Sequence, residues 1–125
     1  MSAIETKLDE MGLSLPPPTQ PMANYLPAVI SGKMVFLSGH VPRRSDGSLV
    51  VGKLGADCTT EEGYEIAKQV TLALLASLKN VVGDLDRVER IIRIFCMVNA
   101  TQDFTQHPAV ANGASDLLVS VLGDC

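Results

Sequence analysis

The stretch VERIIRIFCMV, residues 88–98, decides the reading of this chain. Side chains of a strand alternate between its two faces. Laid out that way, Ile92, Ile94, Cys96 and Val98 point to one side, and Ile91, Phe95 and Met97 to the other. Both faces are apolar. Such a strand is expected in the middle of a sheet, with cover on both sides. Arg90 and Arg93 fall on opposite faces, and Arg93 lies inside the apolar run. A guanidinium buried there needs a carboxylate or carbonyl partner, or a ligand.

The segments on either side of this strand read as helices. Thr59 and Glu62 have capping-box spacing, and Ala67, Val70, Leu74, Leu78 and Val81 form one helical stripe, so residues 59–82 predict a long helix closed by Gly83. Glu61, Glu62 and Glu65 gather at the positive end of its dipole, which suits a solvated first turn better than an acid/base cluster. Beyond the strand, a second helix is expected from Pro108 to Leu122. Val110, Ala114, Leu117, Leu118 and Val121 make its stripe, Gly123 closes it, and Gly113 weakens its middle.

Further upstream, MANYLPAVISGKMVFLSGHV, residues 22–41, holds two β-rich runs around Gly32-Lys33. A glycine-first pair suits a type II′ hairpin. Pro27 argues that the first run is an edge strand or carries a bulge, and the continuously apolar Met34–Leu37 reads as central. Ser45-Asp46-Gly47-Ser48 signals another turn, returning a short strand at Leu49-Val50-Val51. The chain begins with Ile4, Leu8 and Met11 at helical spacing and Gly12 as a stop, followed by the Pro-rich spacer PPPTQP, residues 16–21. A helix that short is marginal alone and must dock on something. The expected organisation is an N-terminal helix and spacer over residues 1–21, then one domain over residues 22–125.

A chain of 125 residues with 46% hydrophobic and 4% aromatic content builds one aliphatic core, burying roughly two-thirds of its unfolded surface. The net charge of −4 argues against binding nucleic acid by phosphate neutralisation. Cys58, Cys96 and Cys125 are odd in number and lack zinc-ligand spacing, so reduced thiols and no metal are expected. No signal-peptide pattern and no apolar run of membrane-spanning length occur, so the expected location is cytoplasmic. The order β-β-(β)-α-β-α implies an α+β sheet with two helices on one face. Two helices cannot cover both sides of the 88–98 strand, and a second copy of the chain is the simplest remaining cover.

NYLPAV at 24–29, VFLSGHVP at 35–42, the acidic-then-aliphatic helix after TTEEGY, GDLDRVERIIRIFCMVN at 83–99 and DFTQHPAVANGASDLL at 103–118 resemble the RidA/YjgF (L-PSP) family. The resemblance is to an atypical subgroup with a leading helix and a Pro-rich spacer. It implies a chorismate-mutase-like fold and a homotrimer with a barrel-like core and ligand clefts between subunits. It also implies hydrolysis of reactive enamines and imines to 2-keto acids and ammonia, without metal or organic cofactor. Some members carry an endoribonuclease or translation-inhibitor label.

Carried over position by position, the resemblance makes Tyr25, Ser38, Gly39 and Asn112 cleft residues. His40 stands where the common pattern has Gln. The family's last two strands, with the Arg that anchors the substrate carboxylate, have no counterpart up to Cys125 in this sequence, and no Arg follows Arg93. No catalytic residue is therefore assigned from sequence.

The residues themselves leave alternatives open. Ser38 can donate a hydrogen bond to a ligand, and Gly39 can let one approach its backbone, or the pair can be an ordinary strand end. Tyr25 can stack on a planar ligand or simply pack with its hydroxyl in water. Asn112 is a poor helix former that can be surface filler. Imidazole exchanges protons near neutral pH as a class, so His40 can be a proton shuttle or a surface or subunit-contact residue. His107 belongs to a helix entrance. The expected partners are further copies of the chain and a small carboxylate-bearing ligand, not nucleic acid or a membrane. An imine deaminase, a non-catalytic small-molecule-binding or assembly protein of the same fold, and an endoribonuclease or translation inhibitor are the competing functions.

Overall fold

The computed structural model describes residues 2–18 and 26–123. Tyr25 and residues 19–21 of the spacer lie outside the described residues, as does Cys125. The chain divides into two compact units: Met1–His40 with Leu72–Arg90, and Val41–Thr71 with Ile91–Cys125.

In the first unit, α1 (Ala3–Glu10) is capped by the Ser2 hydroxyl, which accepts from the Glu5 N–H at 3.1 Å. Ile4 and Leu8 are buried, and the helix packs beside a 3₁₀ turn at Leu85–Arg87. The predicted docking of the leading helix is thus observed. Asp86 from that turn accepts from Ala3 N–H at 2.9 Å and Ile4 N–H at 3.3 Å, placing a carboxylate on the free donors of the helix N-terminus. β1 (Ala28–Ser31) and β2 (Met34–Leu37) pair antiparallel, with Ser31 opposite Met34. Gly32 has φ +61 and Lys33 is not left-handed, the type II′ pattern read from the sequence.

α2 (Thr60–Val82) begins with the expected capping box: Thr59 N–H donates to Glu62 Oε1 at 3.0 Å, and Glu62 N–H to Thr59 Oγ1 at 3.1 Å. It ends at Gly83, whose φ of +89 lets its N–H reach the Lys79 carbonyl at 2.7 Å. Its buried face differs from the predicted stripe. Of that stripe only Leu78 is buried, whereas Thr71, Leu72, Leu75, Ala76 and Ser77 are buried with it. The run LALLAS offers apolar side chains all round the helix, so periodicity alone does not choose a face.

In the second unit, α3 (His107–Leu122) buries Val110, Gly113, Leu117 and Val121. Gly113 earns its place by packing: a Cβ there would run into the Tyr64 carbonyl oxygen and crowd Ala67, so the glycine lets α3 lie close to the α2 backbone. Tyr64 Oη donates to Asp116 at 2.8 Å and ties the same two helices. The turn at 45–48 forms with one bridge, Arg43 to Leu49, rather than a full returning strand.

Two readings of residues 88–98 are corrected. Among the described residues the sheet has two strands, β1 and β2, and 88–98 makes no ladder within it. Ile92, Phe95 and Met97 are 71%, 74% and 83% exposed, so the segment is not a covered central strand in the single chain. A central strand needs a neighbour on each edge. At its start Val88 N–H donates to the Leu85 carbonyl at 3.1 Å, and just past its end the Asn99 carbonyl accepts from Leu54 N–H at 2.9 Å. Arg93 is exposed as well, so it pays no burial cost that an ion pair would have to offset. Its guanidinium lies 5.8 Å from the centre of the Phe95 ring. Met34–Leu37 likewise belongs to a two-stranded hairpin with Met34, Phe36 and Leu37 exposed, not to a central strand.

Among the described residues no helix is long and apolar enough to cross a membrane.

Candidate functional site

β2 stops at Leu37 because the ladder stops. Among the described residues the last backbone bond across the hairpin is Ser38 N–H to the Pro27 carbonyl, at 2.9 Å. Pro27 supplies no N–H, so the pairing cannot continue on its side. Ser38, Gly39 and His40 follow as a corner of the first unit.

The Ser38 hydroxyl donates to the Leu26 carbonyl at 2.6 Å. Its proton is therefore used inside the hairpin, and the oxygen is left as an acceptor. The expectation that Ser38 donates to a ligand is corrected accordingly. Gly39 is exposed, and nothing lies within 4 Å of where its Cβ would stand, so its backbone is open there. His40 is half-buried, with Nδ1 2.8 Å from the Ser38 carbonyl and Nε2 2.7 Å from the Ser77 hydroxyl of α2. Both ring nitrogens have partners inside the protein. That is neither a free surface histidine nor an open proton shuttle. Ser38 does not bond His40 through its side chain, so no Ser-His-Asp relay forms from Ser38.

Asn112 stands exposed on α3 in the second unit, where the Ser115 hydroxyl approaches its side-chain oxygen at 3.5 Å. The structure thus brings Ser38, Gly39 and His40 together, places Asn112 on the other unit, and leaves Tyr25 outside the described residues. His107 is the first residue of α3, edge-on to Phe104 at 5.2 Å, which agrees with its reading as a helix entrance.

Sequence reasoning missed Ser77. It is 3% exposed within an apolar stretch of α2. A hydroxyl set among leucines was the available signal, because a buried polar group must find a partner.

Clefts occur elsewhere in each unit. One of about 560 Å³ in the first unit is lined by Leu8, Leu15, Pro16, Ala76, Lys79 and Gly83. One of about 240 Å³ in the second is lined by Ile92, Arg93, Ser115, Leu118 and Val119. Neither includes the corner, and Lys79 and Glu5, which both line the first, form an ion pair at 2.9 Å. Among the described residues no three His, Cys, Asp or Glu side chains gather to hold a metal ion.

Desolvation, with help from Glu62 and Asp57, pushes the Cys58 thiol up. The Ser48 hydroxyl and N–H hold the Asp46 carboxyl below its ordinary value in the 45–48 turn, and the Thr101 hydroxyl does the same for Asp103. None of these groups belongs to the corner.

Comparison with known proteins agrees with the resemblance seen in the sequence. Residues 5–125 match the family model described as "YjgF/chorismate_mutase-like, putative endoribonuclease". Protein TCP17 of Trypanosoma cruzi is 37% identical over 121 residues, which is 97% of this chain and 76% of that protein. A crystal structure of a "putative endoribonuclease" from Shewanella oneidensis is 38% identical, with a TM-score of 0.92 over 97% of this chain and 80% of the other. A protein of unknown function from Agrobacterium tumefaciens is 35% identical, with a TM-score of 0.87 over 98% of this chain and 76% of the other. With its family model spanning nearly the whole sequence and a solved relative superposing so closely, the chain belongs to the YjgF/chorismate-mutase-like family.

Proposed function

We propose that this chain assembles as a homotrimer and hydrolyses reactive imines of 2-amino acids to 2-keto acids and ammonia. The corner Ser38-Gly39-His40 floors the cleft, and Tyr25 and Asn112 complete it. The observation that carries this reading is the exposed, unobstructed backbone at Gly39 beside an acceptor oxygen of Ser38, in a chain of this family.

The reaction adds water across C=N: the carbon gains a C–O bond, the C–N bond breaks, and nitrogen leaves as ammonia with the protons of the water. No redox partner is needed. Most of the work is holding the imine and the water in line. The Ser38 oxygen, with its own proton committed to Leu26, can accept from an iminium N–H or from the attacking water. Exposed apolar segments supply the surface for assembly: Val29, Ile30 and Phe36 in one unit, Ile92, Phe95 and Met97 in the other. The cytoplasm, where such imines arise from amino-acid breakdown, is the fitting location.

The test is a coupled assay for ammonia and keto acid from freshly generated imine. Release above the buffer background, lost on widening Gly39 to Val, is expected. No release above background rejects the activity.

A second reading, a binder without turnover, is favoured by one feature. The corner itself carries no guanidinium, and Arg87 of the same unit donates to the Val82 carbonyl at 2.6 Å instead. A fork of that kind is the usual anchor for a carboxylate. Calorimetry showing pyruvate bound without any imine turnover would select this reading. RNA cleavage, named in the description of relatives, finds little support in a chain of net charge −4.

A further inference from the structure

We infer that His40 is the positioning residue of the Ser38–Gly39 corner, its ring held as the Nδ1–H tautomer between the Ser38 carbonyl and the Ser77 hydroxyl, so that the end of β2 is pinned to α2. The tautomer follows from the partners. A carbonyl oxygen only accepts, so the Nδ1 that lies 2.8 Å from the Ser38 carbonyl carries the hydrogen. In the neutral ring Nε2 is then the acceptor, and the Ser77 hydroxyl donates to it across 2.7 Å.

The pairing of a serine hydroxyl, an imidazole and an orienting carbonyl has the outline of a nucleophilic dyad. Burial decides against that use. Ser77 is 3% exposed between Leu75 and Leu78, so no substrate carbon reaches its oxygen. What the pair does is mechanical. Among the described residues the hairpin ladder reaches no further than Ser38 N–H, and the His40 side chain makes the next tie from this segment to α2. Because Nδ1 binds the carbonyl that precedes Gly39, the ring also fixes the plane of the Ser38–Gly39 peptide, and with it the direction of the Gly39 N–H. The sequence signal is double: an imidazole just past a strand end and a hydroxyl buried in an apolar helix each satisfy the other.

The consequence for ligand binding rests on the cleft proposed above; the clamp itself does not. The experiment separates them. Side-chain ¹⁵N NMR of the full chain near pH 8, above the usual histidine range of about 6.5, should show Nδ1 protonated and Nε2 bare. Ser77→Ala and His40→Leu should each speed amide exchange at Gly39 roughly tenfold, with the amides of Leu74–Ala76 unchanged. His40→Gln, whose amide oxygen can still accept from Ser77, should bring Gly39 exchange back to within about threefold of the parent chain. In parallel, pyruvate should bind five- to tenfold more weakly to Ser77→Ala and recover in His40→Gln.

An Nε2–H tautomer overturns the inference. So does Gly39 exchange that stays the same in Ser77→Ala. If the parent chain binds no pyruvate, the cleft reading falls, while tautomer and exchange still judge His40.

Discussion

At the scale of single residues, the chain shows how much a glycine or a hydroxyl can decide. Gly113 looked like a weak point in a helix and is instead the place where two helices touch. Gly113→Ala is therefore expected to destabilise the fold by about 2 kcal/mol or more, because the new methyl meets backbone that cannot step aside. Thermal unfolding read against Gly39→Ala, where the backbone is not left-handed and nothing lies within 4 Å of the new methyl, checks it. Tyr64 offers a test with a definite sign. Its hydroxyl donates to Asp116, and that bond holds the phenol above its ordinary value. A group whose folded value is raised contributes stability that is fully present below the unfolded value and is lost as pH rises through the folded one. The stability difference between the parent chain and Tyr64→Phe should thus hold steady at neutral pH and disappear in an alkaline titration above about pH 10. A difference that grew with alkalinity would contradict the bond.

At the scale of elements, local chemistry was legible where it is self-contained. Thr59 with Glu62, Gly32 with Lys33, and Gly83 each act through their own few residues, and each appears as read. Choices that depend on a distant partner were not legible. The 71–78 stretch of α2 is apolar or small on every side, so its buried face is set by what packs on it. Asp86 reads as one acid among several until α1 is found to begin against it. Asp86→Ala should cost about 1–2 kcal/mol by removing two charge-assisted bonds from the α1 N-terminus. Hydrogen exchange should then show faster amides from Ile4 to Leu8 before the rest of the first unit opens. Thr59→Ala should cost about 1 kcal/mol through the lost cap. Of the candidate site, Ser38-Gly39-His40 was legible as a polar strand end, while Ser77 was not, because its partner lies 37 positions away.

At the scale of the whole molecule, residues 88–98 pose the question that a single chain does not answer. Their two apolar faces were plain in the sequence, and the fold leaves Ile92, Phe95 and Met97 open to water. Exposed apolar segments of this kind mark interaction surfaces. Changing them to polar residues should separate assembly from folding. A Phe95→Glu, Met97→Lys pair is expected to abolish association while far-ultraviolet circular dichroism keeps the helical signal of α2 and α3. Imine turnover should fall with it, since the proposed cleft lies between copies. The most direct measurement is light scattering on the chain at micromolar concentration. The account predicts a species of about three times the 13.3 kDa chain mass. A stable species at one chain mass would contradict it.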